Sequence, residues 1–149
     1  MPVRKIPKNH LFVTGRHATA RSAEMVEFEA TLERDHVLLL DADPLVASYE
    51  AQPVRIPLPG KSYVPDLLVH FHQDADGVLR PSELVEVKPQ AFLDKYAEDY
   101  APKFAAAKIY AQQRGWIFCT RTEKDIRTPR LENIKFLRGY QRYEPDPTL

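Results

Sequence analysis

The segment SELVEVKPQ, residues 82 to 90, sets an acid and a base two positions apart inside a run of leucine and valine. Alternate residues of an extended strand leave opposite faces, so Glu86 and Lys88 share one side while Val85 and Val87 turn to the other. Charge beside buried strands is costly unless a cation or a function compensates. Upstream, SYVPDLLVHF places Asp66 directly after Pro65. Proline has no N–H, so it is expected to interrupt the ladder there and let the acid leave the sheet beside Glu86. One acid, then acid-x-Lys on the neighbouring strand, is what metal-dependent phosphodiester hydrolysis requires. Hard oxygen ligands hold Mg²⁺, the cation polarises phosphate and acidifies a bound water, and a lysine steadies that water or the developing charge. A carboxylate on a helix packed over the strands would complete the set. Glu33 in TLERD is the first candidate, and Glu29, one turn earlier, is the alternative.

These side chains need a sheet and helices to bring them together. Val26 and Phe28 alternate with Glu27 and Glu29 and predict a brief strand, and from about Thr31 the longer period predicts a helix that Asp43-Pro44 ends. The stretch from Val46 to Gln73 reads as two strands around a PGKS turn, and DADG turns the chain into the strand of Glu86, giving a meander of three strands. A helix follows from about Phe92 to Arg114, kinked or broken by Pro102 and stopped by Gly115. WIFCTR predicts a further buried strand, and TPRLENIKFLRGYQRY a closing helix with Leu131, Ile134, Phe136 and Leu137 on its apolar side. Helix, three strands, helix, strand and helix imply an α/β domain with a mixed sheet flanked by helices.

At 149 residues the chain suits one domain, and with 44% hydrophobic and 28% charged residues its composition is that of a globular protein. No apolar run approaches a membrane span and the start lacks a secretory stretch, so the expected location is the cytoplasm. Cys119 has no second cysteine to pair with and reads as a reduced core residue. Net charge is zero but unevenly spread. Residues 1–21 carry five bases and no acid, residues 22–100 carry sixteen acids against six bases, and residues 101–149 carry ten bases against five acids. The first 21 residues read as an extended basic arm and residues 22–149 as the catalytic domain. An acidic middle suits a cation site, and the basic flanks suit an anionic substrate such as DNA.

YVPD followed by EVK resembles the PD-(D/E)xK nuclease superfamily. The longer pattern LERDHVLLLDADPLVASYEAQPVRIPLPG, YVPDLLVHF and LVEVKP, taken in order, is similar to the TnsA endonuclease of heteromeric transposons, with further likeness at Gly115–Phe118 and Leu131–Ile134. The resemblance runs from about Glu29 to Tyr140. It implies a restriction-endonuclease-like fold and a Mg²⁺-dependent endonuclease, with Mn²⁺ able to substitute, that cuts the 5′ strand at transposon ends alongside a DDE transposase and an ATPase regulator. It also implies Glu33, Asp66 and Glu86 as acidic ligands, the backbone carbonyl of Val87 as a further ligand, and Lys88 as the catalytic lysine. Gln52, followed by Pro53, matches the family and is a possible support of the site. With the chain ending at Leu149, the family's second, DNA-binding-like domain is expected to be missing.

Each feature also has a plainer reading. Glu86 and Lys88 could form a solvent-facing ion pair worth less than about 1 kcal/mol. His70 and His72 lie on one strand face, but no further ligand completes a zinc set, so they are expected to be the polar side of a hairpin. Lys103 and Lys108 read as solvated helix charges, and Tyr96, Tyr100 and Tyr110 as packing rather than a base-stacking platform. The rival functions are a stand-alone phage or repair nuclease of the same fold, and a non-catalytic DNA-packaging or head-completion module that keeps it.

Overall fold

The computed structural model describes residues 5–6 and 20–142, with side chains from 27 to 139. Most of the basic arm therefore lies outside the described residues. Strand β1 (Lys5–Ile6) is followed by helix α1 (Ala20–Ala42), β2 (Val46–Ala51), β3 (Ile56–Leu58), β4 (Lys61–Tyr63), β5 (Leu67–Phe71) and β6 (Glu83–Val87). Then come α2 (Gln90–Lys95), α3 (Ala97–Gln113), β7 (Ile117–Arg121), α4 (Glu123–Ile126) and α5 (Pro129–Arg142). The strands β1-β2-β5-β6-β7 form one five-stranded sheet, antiparallel except where β7 runs parallel to β6, and β3 and β4 form a separate hairpin. A parallel pair needs a long crossover, which α2 and α3 supply.

Both faces of the sheet are covered, which is why β5 and β6 read as nearly unbroken apolar runs. On one face Leu32, Val37 and Leu40 of α1 pack on Tyr49, Leu67, Val69, Val85 and Val87, joined by Ile126 of α4 and Leu131 of α5. On the other, Leu68 and Leu84 meet Ile56 and Tyr63 of the hairpin, Ala107 and Ala111 of α3, and the partly buried Phe104, Trp116 and Phe118. Within β2, Val46 and Tyr49 both reach the α1 side because the register shifts between Val46 and Ser48, a bulge that re-phases the strand.

The mixed sheet flanked by helices agrees with the sequence reading, and several elements correct it. Val26 and Phe28 belong to α1, which begins at Ala20 rather than near Thr31. Two alternating apolar residues are too short a pattern to outweigh a long helix anchored by Leu32, His36 and Leu40, one turn apart on its buried side. The two strands expected between Val46 and Gln73 are four, because β3 and β4 turn back at Gly60 (φ 71°) and leave β2 free to pair with β5.

The long helix breaks at Tyr96 rather than at Pro102, which sits in the second turn of α3 without ending it. Gly115 does stop α3. With φ 74°, it lets its own N–H bond the Gln112 carbonyl at 3.2 Å and that of Trp116 bond the Ala111 carbonyl at 2.8 Å, a Schellman close. WIFCTR is an edge strand, with Ile117 51% exposed and Cys119 only partly buried. In α5, Leu131 is buried, whereas Phe136 and Leu137 are 72% and 56% exposed. Among the described residues no helix is long and apolar enough to cross a membrane.

Candidate active site

Asp66 is the hub. In the β5–β6 register Leu67 stands opposite Val85, which puts Asp66 beside Glu86 at the point where the two strands part. The sequence predicted that Pro65 would interrupt the ladder. Instead the ladder runs through Asp66, whose N–H bonds the Val85 carbonyl at 3.1 Å and whose carbonyl accepts the Gln52 N–H at 2.9 Å. Its side chain turns back on the sheet, with Oδ2 accepting the Val87 N–H at 2.7 Å.

Glu86 is 3% exposed, on the face of Leu84 and Tyr63, so the solvent-facing ion-pair reading does not hold. The Tyr63 hydroxyl donates to Glu86 Oε2. Glu86 and Glu33 each lie close enough to Asp66 for its charge to act on them. Burial pushes the Glu33 carboxyl up to about 8, and Asp66 adds to the rise. Burial and then Asp66 hold the Glu86 carboxyl well above the usual carboxylate range. Acids this close and this dry keep protons unless a positive charge joins them.

Lys88 is that charge in part. Burial works to lower its pKa, but Asp66, Glu86 and Glu29 outweigh it and the ammonium stays charged. Its Nζ donates to Glu29 Oε2 at 3.1 Å, with the two side chains 16% and 29% exposed. The two acids of α1 thus divide the work, one turn apart on one face: Glu33 meets Asp66 and Glu29 meets Lys88.

Glu33, Asp66, Glu86 and Lys88 therefore converge, drawn from α1, β5 and β6. Among the described residues no three His, Cys, Asp or Glu side chains are grouped so as to hold a metal ion by themselves, so a cation here would need the backbone or water as well. The acids form a chain through Asp66, and their hard oxygens fit Mg²⁺ or Mn²⁺ by type. Val87, fully buried, lies beside them through its N–H to Asp66.

Gln52 borders the site by its backbone. It is the one non-glycine residue with positive φ (44°) among the described residues, and it precedes the buried Pro53. The contact of Tyr63 with Glu86 and the strain at Gln52 went unnoticed in the sequence. Only for Tyr63 was there a signal, its place three residues before Asp66 in YVPD.

His70 is not half of a metal pair. Its Nε2 lies 2.6 Å from Glu50 Oε2 and its Nδ1 2.8 Å from Ser82 Oγ, a chain linking β2 and β5 to the residue that precedes β6, while His72 is exposed. Lys103 pairs with Asp99 at 3.0 Å, and Lys108 is exposed. Tyr100 stacks on Phe104 and Tyr110 packs on Trp116, while Tyr96 sits at the rim, 38% exposed.

A helix-flanked mixed sheet that gathers acids and a lysine where two strands part is an α/β domain of nuclease type. The family model for the TnsA-like endonuclease N-terminal domain matches residues 43–123, and the chain belongs to that family. The match spans Gln52, Asp66, Glu86 and Lys88; Glu29 and Glu33 precede it. No curated protein matched the sequence.

Proposed function

We propose that this domain hydrolyses DNA phosphodiester bonds with a divalent cation, Mg²⁺ or Mn²⁺. Glu33, Asp66 and Glu86 would hold it, with the Val87 carbonyl as a further ligand. When bound, the cation supplies Lewis-acid polarisation of the phosphate and acidifies a water. Lys88, held charged among carboxylates, donates to that water or to the charge developing on the phosphate. Glu29 keeps the ammonium at the site rather than in solvent. Asp66 and Glu86 each have one oxygen tied by a protein donor, which fixes their aim before anything binds.

The single observation that carries the reading is that Glu33 and Glu86 both lie against Asp66, in a place where burial and that neighbouring acid keep the two glutamates protonated without a cation. DNA would be met by the basic arm and the C-terminal third. Cutting of the 5′ strand at transposon ends beside a DDE transposase and an ATPase is the form of this activity that the family suggests.

The test is nicking of supercoiled plasmid with Mg²⁺ or Mn²⁺, alone and with a cognate transposase and ATPase. Wild type should cut, and Asp66→Ala and Lys88→Ala should lose the activity while keeping the fold by circular dichroism. Absence of metal-dependent cutting in every arm would overturn the proposal and favour a non-catalytic assembly role.

A further inference from the structure

We propose that Tyr63 is a positioning residue that pins one oxygen of Glu86, limits that acid to binding a cation through its other oxygen, and so favours Mg²⁺ or Mn²⁺ over Ca²⁺. The inference rests on the metal-binding reading above and adds a determinant of which cation the site takes.

The geometry comes from the hairpin. Tyr63 ends β4, is 6% exposed, and is paired in register with Ile56 of β3. Its ring lies 6.2 Å from that of Phe104, which stacks on Tyr100 at 5.1 Å and tilts against Phe118 at 5.2 Å. A phenol packed in this way cannot swing aside, and its O–H is directed at Glu86 Oε2. Four consecutive residues, Tyr63 to Asp66, thus supply both the acid at the hub and the donor that braces its neighbour.

The chemistry follows from counting oxygens. A carboxylate with both oxygens free can close on a cation with both, which the larger and more tolerant Ca²⁺ accepts. A carboxylate with one oxygen tied offers the other alone, which suits the near-octahedral demand of Mg²⁺. Asp66 has the same restriction, imposed by the Val87 N–H at 2.7 Å. Partners that orient ligands in this way commonly change metal affinity by about 10–100-fold when removed.

The experiment is titration of wild type, Tyr63→Phe and Asp66→Asn with Mn²⁺, Mg²⁺ and Ca²⁺, read by calorimetry and by the Mn²⁺ electron-spin signal. Tyr63→Phe keeps the ring and removes the hydroxyl. It should weaken Mn²⁺ and Mg²⁺ about tenfold or more and Ca²⁺ less, narrowing the ratio. Unchanged Mn²⁺ and Ca²⁺ affinities in Tyr63→Phe, with binding lost in Asp66→Asn, would overturn the role of Tyr63 and leave the metal reading standing. If wild type binds no cation, or Asp66→Asn binds as wild type does, both fall. Should Tyr63→Phe fail to melt cooperatively, a near-ultraviolet tyrosine difference band on adding Mg²⁺ to wild type decides the matter. A band that persists in Tyr100→Phe supports the proposal, and absence of a band in wild type overturns it.

Discussion

The Asp66 carboxylate stands where a strand carbonyl would: its Oδ2 takes the Val87 N–H at 2.7 Å while its own N–H bonds the Val85 carbonyl at 3.1 Å. The acid therefore completes the edge of the β5–β6 pairing and at the same time faces Glu86 and Glu33. One side chain closes a ladder and opens a site.

That double role separates stability from activity. Asp66→Asn keeps an oxygen for the Val87 N–H and removes the negative charge that crowds Glu33 and Glu86. The metal-free variant should be more stable than wild type by about 1 kcal/mol in urea unfolding. Its plasmid nicking should fall at least about a hundredfold. A variant that loses both stability and activity would mean that Asp66 serves the fold alone.

Stability should depend on pH with a sign unusual for a carboxyl. Below its ordinary value of 4.5 Glu33 is protonated in both folded and unfolded chains. As pH rises toward about 8, the unfolded chain releases the proton and the folded chain keeps it. Metal-free protein should therefore lose stability steadily over that window and level off above it. Melting temperature measured in a chelating buffer from pH 4.5 to 9 should show the decline. Glu33→Gln should flatten it in part, with Glu86 responsible for the remainder, and Mg²⁺ should restore stability at the alkaline end.

His36 should act in the opposite direction. It is 6% exposed in α1, neither ring nitrogen has a partner among the described residues, and burial, aided by Arg121, pushes its pKa down to about 4. Protonation then favours the unfolded chain, so the cost grows as pH falls from 6.5 toward 4. His36→Leu should stabilise the protein by about 1–2 kcal/mol at neutral pH by removing unpaired polar atoms, and should gain more over wild type as pH drops. Thermal melts of the two proteins at pH 7 and pH 4.5 check both parts.

Gln52 holds the Asp66 carbonyl from a left-handed backbone, φ 44°. Gln52→Gly should be tolerated within about 1 kcal/mol, because relief of the strain offsets the added freedom of the unfolded chain. Gln52→Val should cost about 2 kcal/mol, since a β-branched residue is poorly suited to that conformation. Urea unfolding measures the two, and Mn²⁺ affinity reports whether the shift reaches Asp66.

Local features were legible in proportion to how local their physics is. Gly115 ends α3 and Gly60 turns the hairpin because a positive φ selects glycine. Glu86 and Lys88 share a face because strand geometry requires it. Where two local patterns competed, the reading slipped. The alternation at Val26 and Phe28 suggested a strand inside α1, and Pro102 drew attention away from the break at Tyr96. The apolar side of α5 was legible, but not that Leu131 is buried while Phe136 and Leu137 meet solvent.

By itself the sequence determined the chemistry available to this protein: a set of hard oxygens, one lysine, and the α/β alternation able to gather them. Only the tertiary structure decided the assignments, giving Glu33 to Asp66, Glu29 to Lys88, and the Tyr63 hydroxyl to Glu86. Periodicity tells which side of an element a residue takes, whereas hydrogen bonding between elements depends on register and on how a helix is rotated over a sheet. Those are fixed by packing across the whole core, and no window of sequence contains them.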